Sequence, residues 1–260
     1  MTGPLRGRQV LVTRARHQAP ELVGILREHG ATPISVPVMR LQPLVPQARL
    51  QELGQEILRG RWDDLVFTSA NGVGLILPQL ASGTSQPSRL FCIGPGTAAR
   101  AARVGWRPED LPEAFIAESL VERLQGEAMA QRRTLLARAQ GARDVLPRAL
   151  RQMGASLTRI SLYRMLPELK SKSALRDALA DPQLSAILFL SGSSVHCFET
   201  LRAGAPLPKE VVVGCIGPIT AQAAREVGMS VDVVAKEHTV PGLVAALELG
   251  LAASPENVRS

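Results

Sequence analysis

The chain has 260 residues, with 45% apolar side chains, 3% aromatic ones and a net charge of +7 carried almost wholly by arginine. That length suits one large domain or two of roughly 100–200 residues each, and the apolar content is ample for buried cores. No apolar stretch approaches the ~20 residues needed to cross a bilayer, and the start MTGPLRGRQVLVTR lacks the apolar core of a secretory signal, so a protein of the cytoplasm, away from membranes, is expected.

In chain order, Gln9–Thr13 (QVLVT) predicts a buried strand, and Ala19–His29 a helix with Leu22, Ile25 and Leu26 at helical spacing, closed by Gly30. Ile34–Val38 alternates like a strand. Pro37, Pro43 and Pro46 then predict a linker across that stretch. A helix is expected at Leu50–Leu58, a strand at Asp64–Thr68, a helix from Asn71 to Leu77, a loop over Leu80–Arg89 and a strand at Leu90–Ile93. A Gly-Pro turn opens the next helix, Leu111-Pro112 turns the chain, and Ala117–Leu124 reads as a helix with Ser119 near its N-cap. Thr134–Ala137 restarts the cycle, followed by the helix Val145–Met153 with Gly154 at its end, the alternating strand Leu157–Tyr163 and a second linker at Met165–Pro167. Ser173–Leu179, Ala186–Leu190, Ser194–Leu201, Val211–Ile216, Thr220–Val227, Val231–Val234 and Val240–Leu249 complete the pattern, and Ala253–Ser260 is expected to fray. Strands alternating with helices imply parallel sheets covered on both faces.

The chain also repeats itself. Ile93 to Ala98 reads IGPGTA and Ile216 to Ala221 reads IGPITA, an offset of 123 residues from Gly94 to Gly217. LVFTSANGV at Leu65–Val73 matches ILFLSGSSV at Ile187–Val195. LREHGATPISVPVMRLQP at Leu26–Pro43 matches LRQMGASLTRISLYRMLP at Leu150–Pro167, and Arg14-Ala15 matches Arg138-Ala139. Matched blocks in one order at nearly one offset indicate duplication. The period is far longer than the ~20–50 residues of a solenoid, so two similar domains are expected.

Ligands of open parallel sheets bind beyond the carboxyl ends of the strands, where these repeated turns fall. Ser69 and Asn71, and their counterparts Ser191 and Ser193, stand where a strand hands over to a helix. They can cap backbone N–H groups, or the same helix ends can receive an anion. Gly94 and Thr97, with Gly217 and Thr220, pose the same alternative. Arg14 and Arg138 follow the first strand of each copy, placed either to meet a carboxylate bidentately or to sit solvated.

Acid–base groups are sparse. His17, His29, His196 and His238 form no ligand cluster, and no HExxH, Walker A or nucleophile-elbow motif is present. Tyr163, the only tyrosine, is the natural proton donor, with a packing role as its alternative. Cys92, Cys197 and Cys215 are odd in number and lack metal spacing, so buried small hydrophobes are expected. The basic balance suits an anionic partner. A small polyanion fits better than nucleic acid, because single-strand binders add aromatic platforms that are scarce here.

Taken together, VLVTRA, FTSANGV, IGPGTAARA, LLARA, GASLTRISLYR, LFLSGSSV, IGPITAQAAREVG and HTVPGLVAAL resemble the uroporphyrinogen-III synthase family over nearly the whole chain. The resemblance implies an α/β fold of two similar domains, each with a parallel sheet flanked by helices, joined by a two-stranded linker. Residues 1–37 with 166–260 would form one domain and residues 38–165 the other, each pairing the opening unit of one copy with the remainder of the other. The domains would close around the ligand.

The implied reaction is cyclisation of hydroxymethylbilane, a linear tetrapyrrole with eight carboxylates. Water leaves, an azafulvene cation forms, and ring D is inverted through a spiro intermediate. No metal or organic cofactor is implied. The resemblance makes Tyr163 the catalytic residue assisting departure of the hydroxyl. It places Thr220 at the cleft and gives the Ser turns (Ser69, Asn71, Ser191, Ser193) the substrate carboxylates. Arg14, Gly94, Thr97, Arg138 and Gly217 complete the expected substrate contacts. A monomer with a tetrapyrrole substrate and no nucleic-acid or membrane partner is expected. The alternative is a non-catalytic module that binds or senses a polyanionic tetrapyrrole-like metabolite.

Overall fold

The computed structural model describes residues 3–16, 18–80 and 86–252. His17, part of the expected loop after Leu80 and the expected tail 253–260 lie outside the described residues. The chain divides into two compact units, Met1–Arg40 with Met165–Ser260 (unit 1) and Leu41–Arg164 (unit 2).

Unit 1 opens with strand β1 (Gln9–Val12), helix α1 (Ala19–Glu28) and strand β2 (Thr32–Ser35). Its later part holds α7 (Lys172–Ala180), β8 (Leu184–Phe189), α8 (Gly192–Arg202), β9 (Val212–Cys215), α9 (Pro218–Glu226), β10 (Val233–Val234) and α10 (Val240–Ala252). The strands lie in the order β10-β9-β8-β1-β2, all parallel. Parallel strands need a helix on each face, and the sequence supplies apolar residues for both. Leu11, Ile187, Phe189 and Val213 pack to one side with Val195 and Phe198 of α8, while Val10, Val12, Ala186 and Leu188 pack to the other with Leu22, Leu26 and Leu243.

Between the two parts of unit 1 run β3 (Met39–Pro43), α2 (Gln47–Leu58), β4 (Asp64–Phe67), α3 (Ala70–Ile76), β5 (Arg89–Cys92), α4 (Pro95–Ala102), α5 (Ala117–Gln125), β6 (Arg133–Ala139), α6 (Val145–Gln152) and β7 (Ser156–Pro167). The second sheet has the order β3-β7-β6-β4-β5, with β7, β6, β4 and β5 parallel. Under the repeat, β5-β4-β6-β7 corresponds to β9-β8-β1-β2, so the two sheets share one frame. Each has one added edge strand, β10 in unit 1 and β3 in unit 2. The first βαβ of each copy pairs with strands from the other copy, as β1 does with β8.

The stretch 37–46, expected as a linker, contains the strand β3 (Met39–Pro43), in keeping with the two-stranded linker expected. β7 runs twelve residues to Pro167 and offers β3 a full edge. Leu44 N–H donates to Leu162 O (2.9 Å) and Glu168 N–H to Val38 O (3.0 Å), so the pair is antiparallel. Pro43 is the last residue of an edge strand, where a missing N–H costs little. The chain passes from unit 1 to unit 2 within β3 and returns within β7. One expectation is corrected: Ser119 lies inside α5, whose N-cap is Ile116, without a side-chain cap. Among the described residues, no helix is long and apolar enough to cross a membrane.

Candidate functional site

In a doubly wound sheet the crevice lies where successive crossovers leave in opposite directions. In unit 1 that point falls between β1 and β8, and in unit 2 between β4 and β6. Each crevice has an arginine on one side and a serine turn on the other: Arg14 with Ser191, and Arg138 with Ser69. The Gly-Pro turns follow β9 and β5, one strand further out.

Both serines are true N-caps. Ser69 Oγ accepts the Gly72 N–H of α3 (3.1 Å), and Ser191 Oγ accepts the Ser194 N–H of α8 (3.2 Å). Their remaining hydrogen-bonding capacity goes different ways. Ser191 Oγ lies 3.3 Å from Ser194 Oγ, which donates back to Ser191 O (2.6 Å), so that hydroxyl pair is local. Ser69 Oγ instead lies 2.7 Å from Tyr163 Oη, 94 residues away. The side chain of Asn71 also hydrogen-bonds the phenol oxygen. Ser193, the counterpart of Asn71, is exposed.

Tyr163 sits on β7 with only 4% of its surface exposed. A register shift brings it there. Arg138 pairs with Ser161 but Ala139 pairs with Tyr163, so Leu162 is an extra residue on β7. A bulge of this kind re-aims the side chains that follow it. Leu162 and Tyr163, neighbours on one strand, are consequently both buried. Burial pushes the phenol's pKa up, and the bonds from Ser69 and Asn71 oppose that rise by favouring the ionised oxygen.

The arginines differ as well. Arg138 is buried and donates from Nη1 to Asp144 Oδ1 (2.7 Å), which Arg159 also approaches at 3.3 Å. The Arg138 guanidinium in turn holds the Asp144 carboxyl below its usual range. Arg14 has a 24% exposed side chain, and its nearest acid, Glu21, is 3.8 Å away. Its buried Nη1 has no hydrogen-bond partner among the described residues. Burial lowers the Arg14 pKa, with Glu21 working against the shift.

At the Gly-Pro turns, Gly94 and Gly217 are the N-caps of α4 and α9. Their backbones are extended, so glycine is needed for room rather than for a left-handed angle. A Cβ on Gly94 would come within 3.1 Å of Phe115 Cβ, and one on Gly217 within 3.0 Å of His238 Cδ2. Phe115 and His238 are themselves 123 residues apart, the offset of the two glycines. Sequence inspection missed this pair, although the repeat offset alone would have found it. Thr97 and Thr220, in the first turns of these helices, are buried. Both units thus present their turns at the carboxyl ends of parallel strands. The three cysteines are buried and shielded, with pKa values pushed up to about 12 (Cys92) and about 11 (Cys197 and Cys215) by desolvation.

The family model described as "Uroporphyrinogen-III synthase HemD" matches residues 20–245. This chain belongs to the uroporphyrinogen-III synthase family. A uroporphyrinogen-III synthase from Synechococcus elongatus is 31% identical over 260 aligned residues, covering 94% of this chain and 96% of the relative. A putative uroporphyrinogen-III synthase from Methanothermobacter thermautotrophicus is also 31% identical, covering 92% of this chain and 97% of that protein. The crystal structure of a mutant uroporphyrinogen III synthase from Thermus thermophilus superposes with a TM-score of 0.64 over 95% of this chain and 100% of the other, at 19% identity. That likeness supports the two-sheet α/β fold.

Proposed function

We propose that the chain closes hydroxymethylbilane to uroporphyrinogen III, releasing water and inverting ring D, as a monomer in the cytoplasm. The observation that carries the mechanism is the phenol of Tyr163, buried at the carboxyl end of β7 and hydrogen-bonded to the Ser69 turn. Its raised pKa keeps it protonated at neutral pH, as a general acid for the departing hydroxyl must be.

The remaining residues bind and orient. The Nη1 of Arg14 has unused donor capacity, suited to a substrate carboxylate. The N-termini of α4, α8 and α9, with Gly94, Thr97, Ser191, Ser193, Gly217 and Thr220, would offer backbone N–H groups to further carboxylates. Arg138, held by Asp144, would contribute positive potential at the β6 end while keeping the bulge beside Tyr163 in shape. Ser69 and Asn71 bound the same site.

Purified protein incubated with freshly generated hydroxymethylbilane should yield the type III isomer. Recovery of type I alone, the product of unassisted closure, would refute the proposal. Binding without turnover would favour the sensing module instead.

A further inference from the structure

The two oxygens of the Ser69–Tyr163 pair could share their proton in either sense, but the surrounding bonds favour one. Ser69 Oγ already accepts the Gly72 N–H. Tyr163 Oη, 2.7 Å away, is placed to accept the Ser69 proton. Were Tyr163 to donate to Ser69, the serine proton would lose that acceptor in a half-buried turn, where an unmade hydrogen bond is costly. With Ser69 donating, the phenol oxygen receives the serine proton, and the side-chain amide of Asn71, which also hydrogen-bonds the phenol, can donate through Nδ2 to the oxygen's second lone pair. The phenol's own proton then has neither as its acceptor and is free for a third group.

We propose that Ser69 and Asn71 are positioning residues for Tyr163: both donate to its oxygen, turn its O–H toward the substrate's hydroxyl, and hold the phenolate left after proton transfer. This rests on the reaction proposed above and adds to it. The bond between the methylene carbon and the hydroxyl oxygen breaks, and the electron pair leaves with the oxygen. That oxygen takes the Tyr163 proton and departs as water, leaving the azafulvene cation and a tyrosinate with two donors. Ring closure forms the new carbon–carbon bond and releases a proton from a pyrrole carbon, which restores the phenol.

The copy in unit 1 serves as an internal comparison. Ser191 caps its helix in the same way, yet the repeat places Met39 where unit 2 has Tyr163. Met39 is buried in the apolar cluster with Phe189 and Val195. A capping serine therefore does not require the tyrosine, and the Ser69–Tyr163 bond is additional to the cap.

Tyr163 is the only tyrosine in the chain, so tyrosinate absorbance titrates this one group. Donors to the oxygen favour the ionised form. Ser69→Ala should therefore move the titration up by about one pH unit and lower kcat on the order of tenfold, with KM little changed. Ser69→Thr, which keeps the hydroxyl, should restore both. In a Tyr163→Phe background Ser69→Ala should cost nothing further, because its effect passes through the phenol. Asn71→Ala leaves the Ser69 cap in place and should shift the titration the same way, should Ser69→Ala fold poorly. A downward or absent shift, a loss that persists without the phenol, or a change confined to KM would overturn the proposal. A Tyr163→Phe enzyme as fast as the parent would instead overturn the proton-donor reading, while the titration still reports which oxygen donates.

Discussion

The two units use one backbone frame for different side-chain work. In unit 2 the serine after β4 reaches a buried tyrosine, while in unit 1 the serine after β8 closes on its own helix. Conversely, the arginine of unit 2 is held by Asp144, which it shares with Arg159, while Arg14 of unit 1 keeps an unused donor. Duplication preserved strand order and helix caps, which depend on backbone geometry. Side chains then differ on that shared frame, so that the buried phenol sits in one unit and the less committed cation in the other.

The widest separation is expected at the Tyr163 and Met39 pair. Tyr163→Phe should lower kcat by ~10²–10⁴-fold, the usual contribution of a positioned acid, with KM changed little. Met39→Leu, a near-isosteric core exchange, should leave turnover intact and cost less than about 1.5 kcal/mol. Isomer-resolved product assays on both variants would show whether the asymmetry is catalytic; equal losses would remove it.

Stability should divide the units next. Asp64 is fully buried at the amino end of β4 between Arg89 (2.7 Å) and Arg132 (2.7 Å), and its counterpart in unit 1 is Ala186. Asp64→Ala should cost about 3 kcal/mol, since it removes a fully buried carboxylate that ties Arg89 and Arg132 to the end of β4. Denaturant unfolding should show unit 2 lost at lower concentration than in the parent, and an unchanged midpoint would contradict this.

The arginines provide a finer test. Arg14→Ala should raise KM about tenfold through a lost charge-assisted bond with little effect on folding. Arg138→Ala should lower thermal stability measurably, through the lost packing of a buried side chain more than through its bond to the half-exposed Asp144. Steady-state kinetics together with melting curves would separate the two outcomes, and matching KM effects would indicate equivalent roles.

Acid should also act on unit 2 first. Arg133 holds the Asp63 carboxyl down to about 2, and Arg143, Arg123 and Arg138 respectively hold Glu118, Glu127 and Asp144 below their usual range. Groups with lowered folded pKa values contribute stability that is fully present above about pH 5 and lost as pH falls toward 2. Because the pairs are near the surface, the loss should be small and weaker still in high salt. Amide exchange followed through an acid titration should show unit 2 opening before unit 1.

Much of this was legible before any coordinates. Period-2 and period-3.6 patterning located the strands and helices, Gly30 and Gly154 marked helix ends through their left-handed backbones, and the two serine turns carried their own capping chemistry. Local rules failed where the partner was remote or the edge was shared. Prolines alone mark only a linker where β3 pairs with β7; the strand itself depends on an edge supplied over a hundred residues later. Ser119 looked like a cap, yet α5 begins at Ala117 without one. Arg138 resembles Arg14 in sequence, but in the fold Asp144 holds it.

The sequence by itself determined the duplication, the βα alternation, the helix-capping turns and the family, since each rests on residues close together or on blocks in order. Tertiary structure decided what each turn does. Thr13 Oγ1 meets Leu188 O across 175 residues and Ser69 meets Tyr163 across 94, and neither pairing follows from local propensity. One extra residue on β7 places Tyr163 in the buried turn. A register shift of one residue exchanges the faces of a strand, so the same string of side chains could have pointed that phenol elsewhere. Packing of the parallel sheet selects the register that joins it to Ser69.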